Sequence, residues 1–370
     1  MKILADAHIP FLQGVAEQFG EVSYLPGNLF TKEAIKENDV LIVRTVTRFD
    51  ENNLSGSNVK LICSATIGYD HIDTQYCKAN NIAWRTAPGC NASSVEQYIT
   101  ASLVTMAVKH NFELKNKTIG IVGVGNVGRK VAQACQILGM NVLLNDPPRQ
   151  EAEKSNAFVD LTTIKKEADI ITFHPPLTTE GKHATFHLAN DQFFNSLTKA
   201  PIIMNSSRGA VVNNQALKTA LKRGKVTGAV IDTWENEPNI DLELLHMVDI
   251  GTPHIAGYSA DGKWNATKMS LENINIFFDL KKDPLKLHPL PNIEDSTIKL
   301  SANDKQVTEA ILYSYDPLID SNSLKENPEK FYYFRSHYPL RREYNAYTID
   351  NANKTTYALT KKLGFNIKNE

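Results

Sequence analysis

Three short apolar runs in the second half of the chain are each followed by a polar residue: Arg208, Glu237 and His254. A guanidinium can hold a carboxylate through two parallel hydrogen bonds and polarise an adjacent carbonyl. An imidazole can accept the proton of a secondary alcohol, and a carboxylate on its far nitrogen fixes the tautomer and raises the pKa. These residue types therefore suit the oxidation of an alcohol beside a carboxylate, with a hydride leaving for a nicotinamide.

Each of these side chains also has an ordinary structural interpretation. An arginine after a strand is often a surface residue, and a glutamate before a proline fits a solvated turn. Their conjunction on one half of a predicted sheet, in a segment that also holds Asp232, favours the functional interpretation. We expect Asp232 to contact the nicotinamide or its carboxamide. A metal site is not predicted.

A cofactor must be positioned beside these groups, and the stretch 117–146, KTIGIVGVGNVGRKVAQACQILGMNVLLND, has the required pattern. It combines a buried strand, a glycine turn, a helical period, a second strand and a terminal acidic residue, which is the full context of a dinucleotide fingerprint. Its glycines allow a tight turn, close approach to a pyrophosphate, and close packing of helix on strand. The predicted cofactor contacts in this turn are Gly123, Gly125, Asn126, Val127 and Gly128.

The acidic residue of the fingerprint is Asp146, at the end of the second strand. Its carboxylate can accept hydrogen bonds from the ribose hydroxyls of adenosine and would repel a 2′-phosphate. Arg149 is a signal in the opposite direction, because an arginine just after this strand could hold that phosphate. We give Asp146 the greater weight, and the sequence predicts NAD over NADP.

Composition limits the class of protein. The chain has 370 residues, 42% of them hydrophobic, and a net charge of -1, which suits two or three globular domains and favours neither nucleic acid nor an anionic membrane as a partner. No apolar run approaches the roughly 20 residues of a membrane span, and the N-terminus lacks the pattern of a secretory signal. The four cysteines form no CxxC pair, so we expect reduced, buried thiols and a cytoplasmic location.

Short strands alternate with helical or polar stretches through the first 85 residues, which predicts a parallel α/β sheet. The predicted fold is a Rossmann-type NAD-binding domain over 96–255, inserted in a flavodoxin-like substrate domain formed by 1–95 and 256–283. We expect a cleft between the two domains. A linker with two prolines follows, and residues 284–370 are predicted to form a C-terminal α+β domain.

Four motifs resemble the D-2-hydroxyacid dehydrogenase family: the glycine turn GVGNVG, then NSSRG, DTWENEP and PHIAG. The resemblance covers most of residues 1–280. It implies NAD-dependent hydride transfer, with Arg208 on the substrate carboxylate. It also implies that His254 accepts the proton in oxidation and donates it in reduction, paired with Glu237.

A narrower resemblance rests on APGCNA, on PHIAGYS and on a C-terminal extension containing RRE and LGF. By these residues the chain resembles one branch of that family, which oxidises 4-phospho-D-erythronate to (R)-3-hydroxy-2-oxo-4-phosphooxybutanoate in pyridoxine 5′-phosphate biosynthesis. It implies that the C-terminal domain forms a homodimer. Substrate contacts are implied for Thr45, Thr66 and Tyr258, and NAD contacts for Asp146, Asp232 and Gly257.

A phosphorylated substrate calls for basic residues beyond the carboxylate clamp. Arg44 and Arg48 flank Thr45 and could form a small phosphate site, although the first could instead cap a strand and the second could be a solvated charge. Two alternatives to the leading function remain. One is a dehydrogenase for another 2-hydroxy acid, such as glycerate or phosphoglycerate, and the other is a corepressor-like NAD sensor without enzymatic activity.

Overall fold

The computed structural model describes residues 1–368, and these fall into two compact units. The first unit contains residues 1–91 and 259–291, and the second contains 92–258 and the chain from 292 onwards. The strands are β1 Lys2–Asp6, β2 Glu21–Leu25, β3 Val40–Val43, β4 Leu61–Ser64, β5 Ala83–Arg85, β6 Thr118–Val122, β7 Asn141–Asn145, β8 Ile170–Phe173, β9 Ile202–Asn205, β10 Gly228–Ile231, β11 Ile250–Gly251, β12 Thr297–Lys299, β13 Thr348–Asp350 and β14 Asn366–Ile367.

The α-helices include two of 18 residues, α4 and α11. In chain order they are α1 Lys32–Ile35, α2 Glu51–Leu54, α3 Thr74–Ala79, α4 Ala92–Lys109, α5 Asn126–Ile137, α6 Pro147–Glu153, α7 Leu161–Glu167, α8 Asp191–Asn195, α9 Asn214–Lys222, α10 Leu242–Met247, α11 Ala260–Phe277, α12 Gln306–Ser314, α13 Pro317–Glu326, α14 Phe331–Ser336 and α15 Lys354–Leu363.

The first unit is built on a parallel sheet of five strands in the order β2-β1-β3-β4-β5. This is the flavodoxin-like order that the sequence predicts. All residues of β3 and β4 are buried, as expected for strands covered on both faces. The connection 9–19 forms only turns and a single 3₁₀ turn, Ala16–Phe19, because Phe11 and Gly14 have positive φ angles that a helix does not accept.

The second unit contains a parallel sheet of six strands in the order β11-β10-β9-β8-β6-β7. A parallel bridge between Leu144 and Phe158 adds a rudimentary strand beyond β7. Counting that bridge as the third strand gives the Rossmann order 3-2-1-4-5-6, followed by one more strand. The Rossmann prediction is therefore confirmed.

The C-terminal residues form a three-stranded parallel sheet in the order β12-β13-β14, with Ile298 and Ile349 buried at its centre. Their helices pack within the second unit: α12 contacts α4, and Ser321 of α13 accepts a hydrogen bond from the Gly251 amide at 3.0 Å. A separate dimerisation domain over 284–370 stays a prediction, and its last two residues lie outside the described part of the chain.

All four cysteines, Cys63, Cys77, Cys90 and Cys135, are buried and free, as the sequence predicts. Burial raises the pKa of the Cys77 thiol to about 11 and that of Cys135 to about 12, so both stay protonated. Within residues 1–368 no helix has the length and apolar character needed to cross a membrane. No cluster of three or more His, Cys, Asp or Glu side chains suited to a metal ion occurs in that same range.

Candidate active site

Three neighbouring strands of the second sheet end at the same edge. The strands β9, β10 and β11 are parallel and in register, with Asn205 opposite Ile231 and Ile231 opposite Gly251. Arg208 and His254 each follow within three residues of a strand end. Ligands of such sheets bind at the carboxyl ends of the strands. The topology thus carries the predicted residues to the edge where a ligand is expected.

The imidazole of His254 is hydrogen-bonded to Glu237. The Nδ1 atom lies 2.8 Å from Oε2 of the carboxylate, and the other carboxylate oxygen accepts the backbone N–H of Trp234 at 2.8 Å. The backbone of His254 has a φ angle of 57°, in the left-handed region that non-glycine residues seldom adopt. A hydrogen bond from its N–H to the Asp232 carbonyl, at 2.8 Å, holds this conformation. Such strained residues concentrate at functional sites.

The environment of Glu237 keeps its carboxylate ionised. Burial alone would raise the pKa, but the hydrogen bond and charge of His254 outweigh it, so the pKa of Glu237 lies below its usual range. A carboxylate on Nδ1 makes that nitrogen the donor and leaves Nε2 as the acceptor. The side chain of His254 is 27% exposed. The pair can therefore accept a proton at Nε2 from a group at this edge.

Asp232 anchors the loop that carries the histidine. Its Oδ1 accepts hydrogen bonds from the Thr252 hydroxyl and the Ile255 amide, both at 2.7 Å, and its Oδ2 accepts the Ala256 amide at 3.0 Å. The side chain is 1% exposed, and burial raises its pKa. The sequence assigned Asp232 to the nicotinamide, and that contact stays a prediction. The structure shows a positioning role for the same carboxylate.

The loop after β9 brings Arg208 close to the turn that holds Glu237. A Cβ atom on the next residue, Gly209, would lie 1.9 Å from the Trp234 carbonyl oxygen, so only glycine permits this approach. The Arg208 carbonyl accepts a hydrogen bond from the Asn205 side chain at 3.0 Å. Within the guanidinium, Nη1 donates to the carbonyl of the preceding serine at 2.9 Å. The backbone around Arg208 is therefore firmly held beside the histidine-carboxylate turn.

Two glycines of the dinucleotide turn are required by close packing. Gly123 has a φ angle of 87°, and a Cβ atom there would lie 2.4 Å from the Pro175 nitrogen. A Cβ atom on Gly128 would lie 2.1 Å from the Gly123 carbonyl oxygen. Neither position can accept a side chain without movement of the backbone. The strand, turn and helix are thus fixed against one another.

The remaining glycine of the turn faces open space. A Cβ atom on Gly125 would have no protein atom within 4 Å. Gly125 is also the N-cap of α5, where no side chain caps the helix, and Asn126 and Val127 are its first residues. Uncapped N–H groups beside open space suit a pyrophosphate, which the helix dipole also favours. The residues present therefore fit a dinucleotide.

At the end of β7, Asp146 receives two backbone hydrogen bonds. Its Oδ2 accepts from the Val124 amide at 2.8 Å, and its Oδ1 accepts from the Arg149 amide at 3.1 Å as the cap of α6. The Arg149 guanidinium pairs with Glu153 at 2.7 Å and donates to the Val124 carbonyl. The arginine that could have favoured NADP thus already has an anionic partner, which strengthens the prediction of NAD.

In the first unit, both candidate phosphate ligands pair with carboxylates. Arg44 forms a two-pronged pair with Asp6, at 2.8 Å from Nε and 3.2 Å from Nη2, and the aspartate is 1% exposed. Arg48 lies 3.2 Å from Asp50 and is 66% exposed. Thr45, between them, is exposed. The arginines flank an accessible hydroxyl, but neither is an unpaired cation.

The other predicted substrate contacts have protein partners as well. The Thr66 hydroxyl lies 2.7 Å from the Ser64 hydroxyl and donates to the Gly68 carbonyl at 3.1 Å. Gly257, a predicted NAD contact, lies in the loop that begins at His254. Tyr258, a predicted substrate contact, follows it. Both are partly exposed in the second unit. The structure thus places one group of substrate candidates in each unit.

One charged residue of the site was missed by sequence reasoning. Arg335 of α14 lies 3.7 Å from Oε2 of Glu237 through Nη1, and its Nε donates to the Tyr258 hydroxyl at 3.3 Å. Nothing in the local sequence FYYFRS marks it, because its importance comes from a contact between distant segments. The C-terminal extension therefore reaches the candidate site.

This chain resembles known protein families and solved structures. A family model described as the NAD binding domain of D-isomer specific 2-hydroxyacid dehydrogenases matches residues 90–256, and a domain of unknown function matches 287–364. Among solved structures, an NAD⁺-bound 3-phosphoglycerate dehydrogenase of Entamoeba histolytica has a TM-score of 0.64 at 24% identity, covering 79% of this chain and 99% of that one. This likeness supports the fold.

Sequence relatives match over almost their whole length. An erythronate-4-phosphate dehydrogenase of Bacteroides fragilis is 51% identical over 94% of this chain and 99% of its own. A protein of the same name from Proteus mirabilis is 39% identical over 99% of each chain. The predictions of family, enzyme class and cofactor are thereby confirmed. The chain belongs to the erythronate-4-phosphate dehydrogenase family and is an NAD-dependent dehydrogenase of the D-2-hydroxyacid type.

Proposed function

We propose that this chain oxidises 4-phospho-D-erythronate to (R)-3-hydroxy-2-oxo-4-phosphooxybutanoate in pyridoxine 5′-phosphate biosynthesis. The observation that supports this chemistry is the hydrogen bond of 2.8 Å between His254 and Glu237. It lies at the carboxyl ends of the strands of the second sheet, where ligands of such sheets bind. The substrate is inferred from relatives named erythronate-4-phosphate dehydrogenase, which match this chain over almost its whole length. The chain itself supplies the acid-base groups that this reaction needs.

In this mechanism His254 accepts the hydroxyl proton of substrate carbon 2 at Nε2, and the ionised Glu237 stabilises the resulting imidazolium. NAD⁺, when bound, supplies the acceptor for the hydride that leaves the same carbon. Arg208 holds the substrate carboxylate and polarises the developing carbonyl group. In the reverse direction the imidazolium returns the proton. Proton and hydride are thus both accounted for.

The substrate phosphate is assigned to the first unit. Arg44 keeps its Nη1 group outside the pair with Asp6, and Arg48 is largely exposed, so both can donate to an anion beside Thr45. Thr66 and Tyr258 are proposed to contact the substrate hydroxyls. Asp146, Asp232 and Gly257 are proposed to contact NAD, together with the glycine turn.

The proposed setting is a cytoplasmic homodimer that acts on a small phosphorylated hydroxy acid. The net charge of -1 gives no reason to expect a nucleic acid or a membrane as partner. Several large apolar side chains of the C-terminal residues are exposed: Tyr313, Ile319, Tyr332, Tyr333 and Leu340. A second copy of the chain is proposed to cover them.

A turnover assay with a substrate panel tests the function. The purified chain is mixed with NAD⁺ and one of 4-phospho-D-erythronate, D-erythronate, D-glycerate or 3-phospho-D-glycerate, with a carbonyl trap to draw the oxidation forward. We expect reduced nicotinamide to form fastest with 4-phospho-D-erythronate, and NADP⁺ to be a poor replacement. Preference for glycerate or phosphoglycerate would favour the alternative dehydrogenase. Binding of NAD⁺ without turnover of any acid would favour the NAD sensor.

A further inference from the structure

The C-terminal extension supplies a guanidinium to the histidine-carboxylate pair. Arg335 lies 3.7 Å from Oε2 of Glu237, the oxygen that is bonded to His254 at 2.8 Å. Its Nε donates at 3.3 Å to Tyr258, four residues after the histidine. One side chain thus contacts both the carboxylate partner of His254 and Tyr258, at the end of the loop 254–258.

The surroundings of this contact differ from those of a surface ion pair. Glu237 is 17% exposed and Arg335 is 32% exposed. Exposed ion pairs contribute little because water and salt screen them, whereas partly buried charges are screened less. The charge of Arg335 helps to hold the pKa of Glu237 low, next to the stronger effect of His254. The carboxylate is therefore shared between an imidazole and a guanidinium.

A second arginine of the same extension holds the loop from behind. The Nη2 atom of Arg341 donates to the Ala256 carbonyl at 2.6 Å and to the Ile255 carbonyl at 3.3 Å. Its guanidinium lies over the ring of Tyr315, 4.4 Å from the centroid, and the residue is 6% exposed. The segment from 335 to 341 thus contacts the loop 254–258 at two points. These contacts hold the segment that carries Arg335 against the loop.

We propose that Arg335 is a positioning residue for the Glu237–His254 pair. It orients the carboxylate and competes with the imidazolium for the charge of that carboxylate. This inference rests on the proposed role of His254. It assigns to the C-terminal extension a part in proton transfer, in addition to the proposed assembly of two chains.

The test compares R335Q, R335K and a control, K330Q, in the full-length chain. Lys330 lies directly before α14, is exposed and pairs only with Asn327 among the contacts of residues 1–368. K330Q therefore removes one positive charge near Arg335 without touching Glu237 or His254. The readout is the pH dependence of kcat/KM for oxidation, with whichever 2-hydroxy acid the wild type uses. Because oxidation needs neutral His254, activity rises with pH along the acid limb.

The charged or titratable groups around this pair include Arg335 from α14, Asp232 directly after β10, Tyr258 from the loop itself and Arg208 from the loop after β9. Loss of the guanidinium removes a cation that repels the imidazolium. We expect R335Q to move the acid limb to higher pH by about half a unit and to lower kcat about tenfold. R335K should restore the position of the limb but only part of kcat, and K330Q should match the wild type.

A second readout needs no substrate. The imidazole of His254 is titrated by NMR in the wild type and in R335Q, and the midpoint should rise by about half a unit in the variant. Failure of the proposed substrate would leave this shift in place. An unchanged midpoint and acid limb in R335Q would overturn the inference, even if activity fell together with the melting temperature.

Discussion

At the scale of single residues, the carboxylate behind His254 determines which nitrogen can act as a base. Glu237 accepts from Nδ1 and from the Trp234 amide, so both of its oxygens are oriented. A neutral amide at the same position would form a weaker bond to an imidazolium and could turn either end toward Nδ1. The charge of Glu237 is therefore expected to matter more than its shape.

Replacing Glu237 with glutamine should lower kcat about 100-fold, with a much smaller change in KM, because the imidazolium loses its counter-charge as the proton arrives. The matched control is E235Q. Glu235 pairs with a different histidine, His187, at 2.6 Å and accepts the Asn214 amide at 2.7 Å. Steady-state kinetics with NAD⁺ measures both variants. Equal losses in E237Q and E235Q would contradict the assigned pairing.

The residues of the site differ in how far the sequence could predict them. Arg208, Glu237 and His254 follow strands that are recognisable in the sequence as short apolar runs. Their placement at one edge of the sheet could therefore be predicted. The three hydrogen bonds from the loop to Asp232 could not, since they depend on how that loop folds back. Arg335 was out of reach for a similar reason, because its partner Tyr258 lies 77 residues earlier.

At the scale of elements, the turn between β6 and α5 contains two glycines that packing requires and one that packing does not require. Gly123 and Gly128 each meet backbone atoms at less than 3 Å from an added Cβ, whereas Gly125 meets nothing. The φ angle of Gly125 is -73°, outside the left-handed region that favours glycine. The fingerprint predicts the same division by position, with Gly123 for the turn, Gly125 for approach to a pyrophosphate and Gly128 for packing.

The G125A variant should therefore fold normally. It should bind NAD⁺ at least about tenfold more weakly, since the added methyl group occupies space beside the uncapped helix end. Alanine at position 128 should instead lower the melting temperature, because its Cβ would collide with the Gly123 carbonyl. Calorimetric titration with NAD⁺ and thermal unfolding measure the two effects. Wild-type affinity in G125A would argue against a pyrophosphate at this turn.

Strands were more predictable than connections. Buried parallel strands such as β3 and β10 are unbroken apolar runs, so the sequence locates them within a residue or two. The stretch 9–19 instead has apolar residues that pack into the core without a regular helix, among them Leu12 and Val15. Positive φ angles at Phe11 and Gly14 interrupt it, and hydrophobic spacing carries no record of backbone angles.

At the scale of the whole molecule, the C-terminal extension packs on the nucleotide-binding half and leaves apolar side chains in solvent. Ile319 of α13 is 67% exposed, and Tyr332 of α14 is 68% exposed. Single exposed apolar residues are ordinary, but several large ones within one segment of a chain favour an interface. Composition could not have located this surface, because the tail reads as mixed polar and apolar throughout.

Polar substitution of Ile319, Tyr332 and Leu340 to serine should convert a dimer into a monomer, because an interface loses affinity when its buried apolar anchors are removed. Light scattering coupled to gel filtration should give twice the chain mass for the wild type and the single mass for the triple variant. The control substitutes Leu242 and Ile276, which are also exposed, at 51% and 76%, but lie outside the extension. A wild-type chain that is monomeric at micromolar concentration would contradict the proposed dimer. A control that dissociates as fully as the triple variant would show that the interface is not specific to the extension.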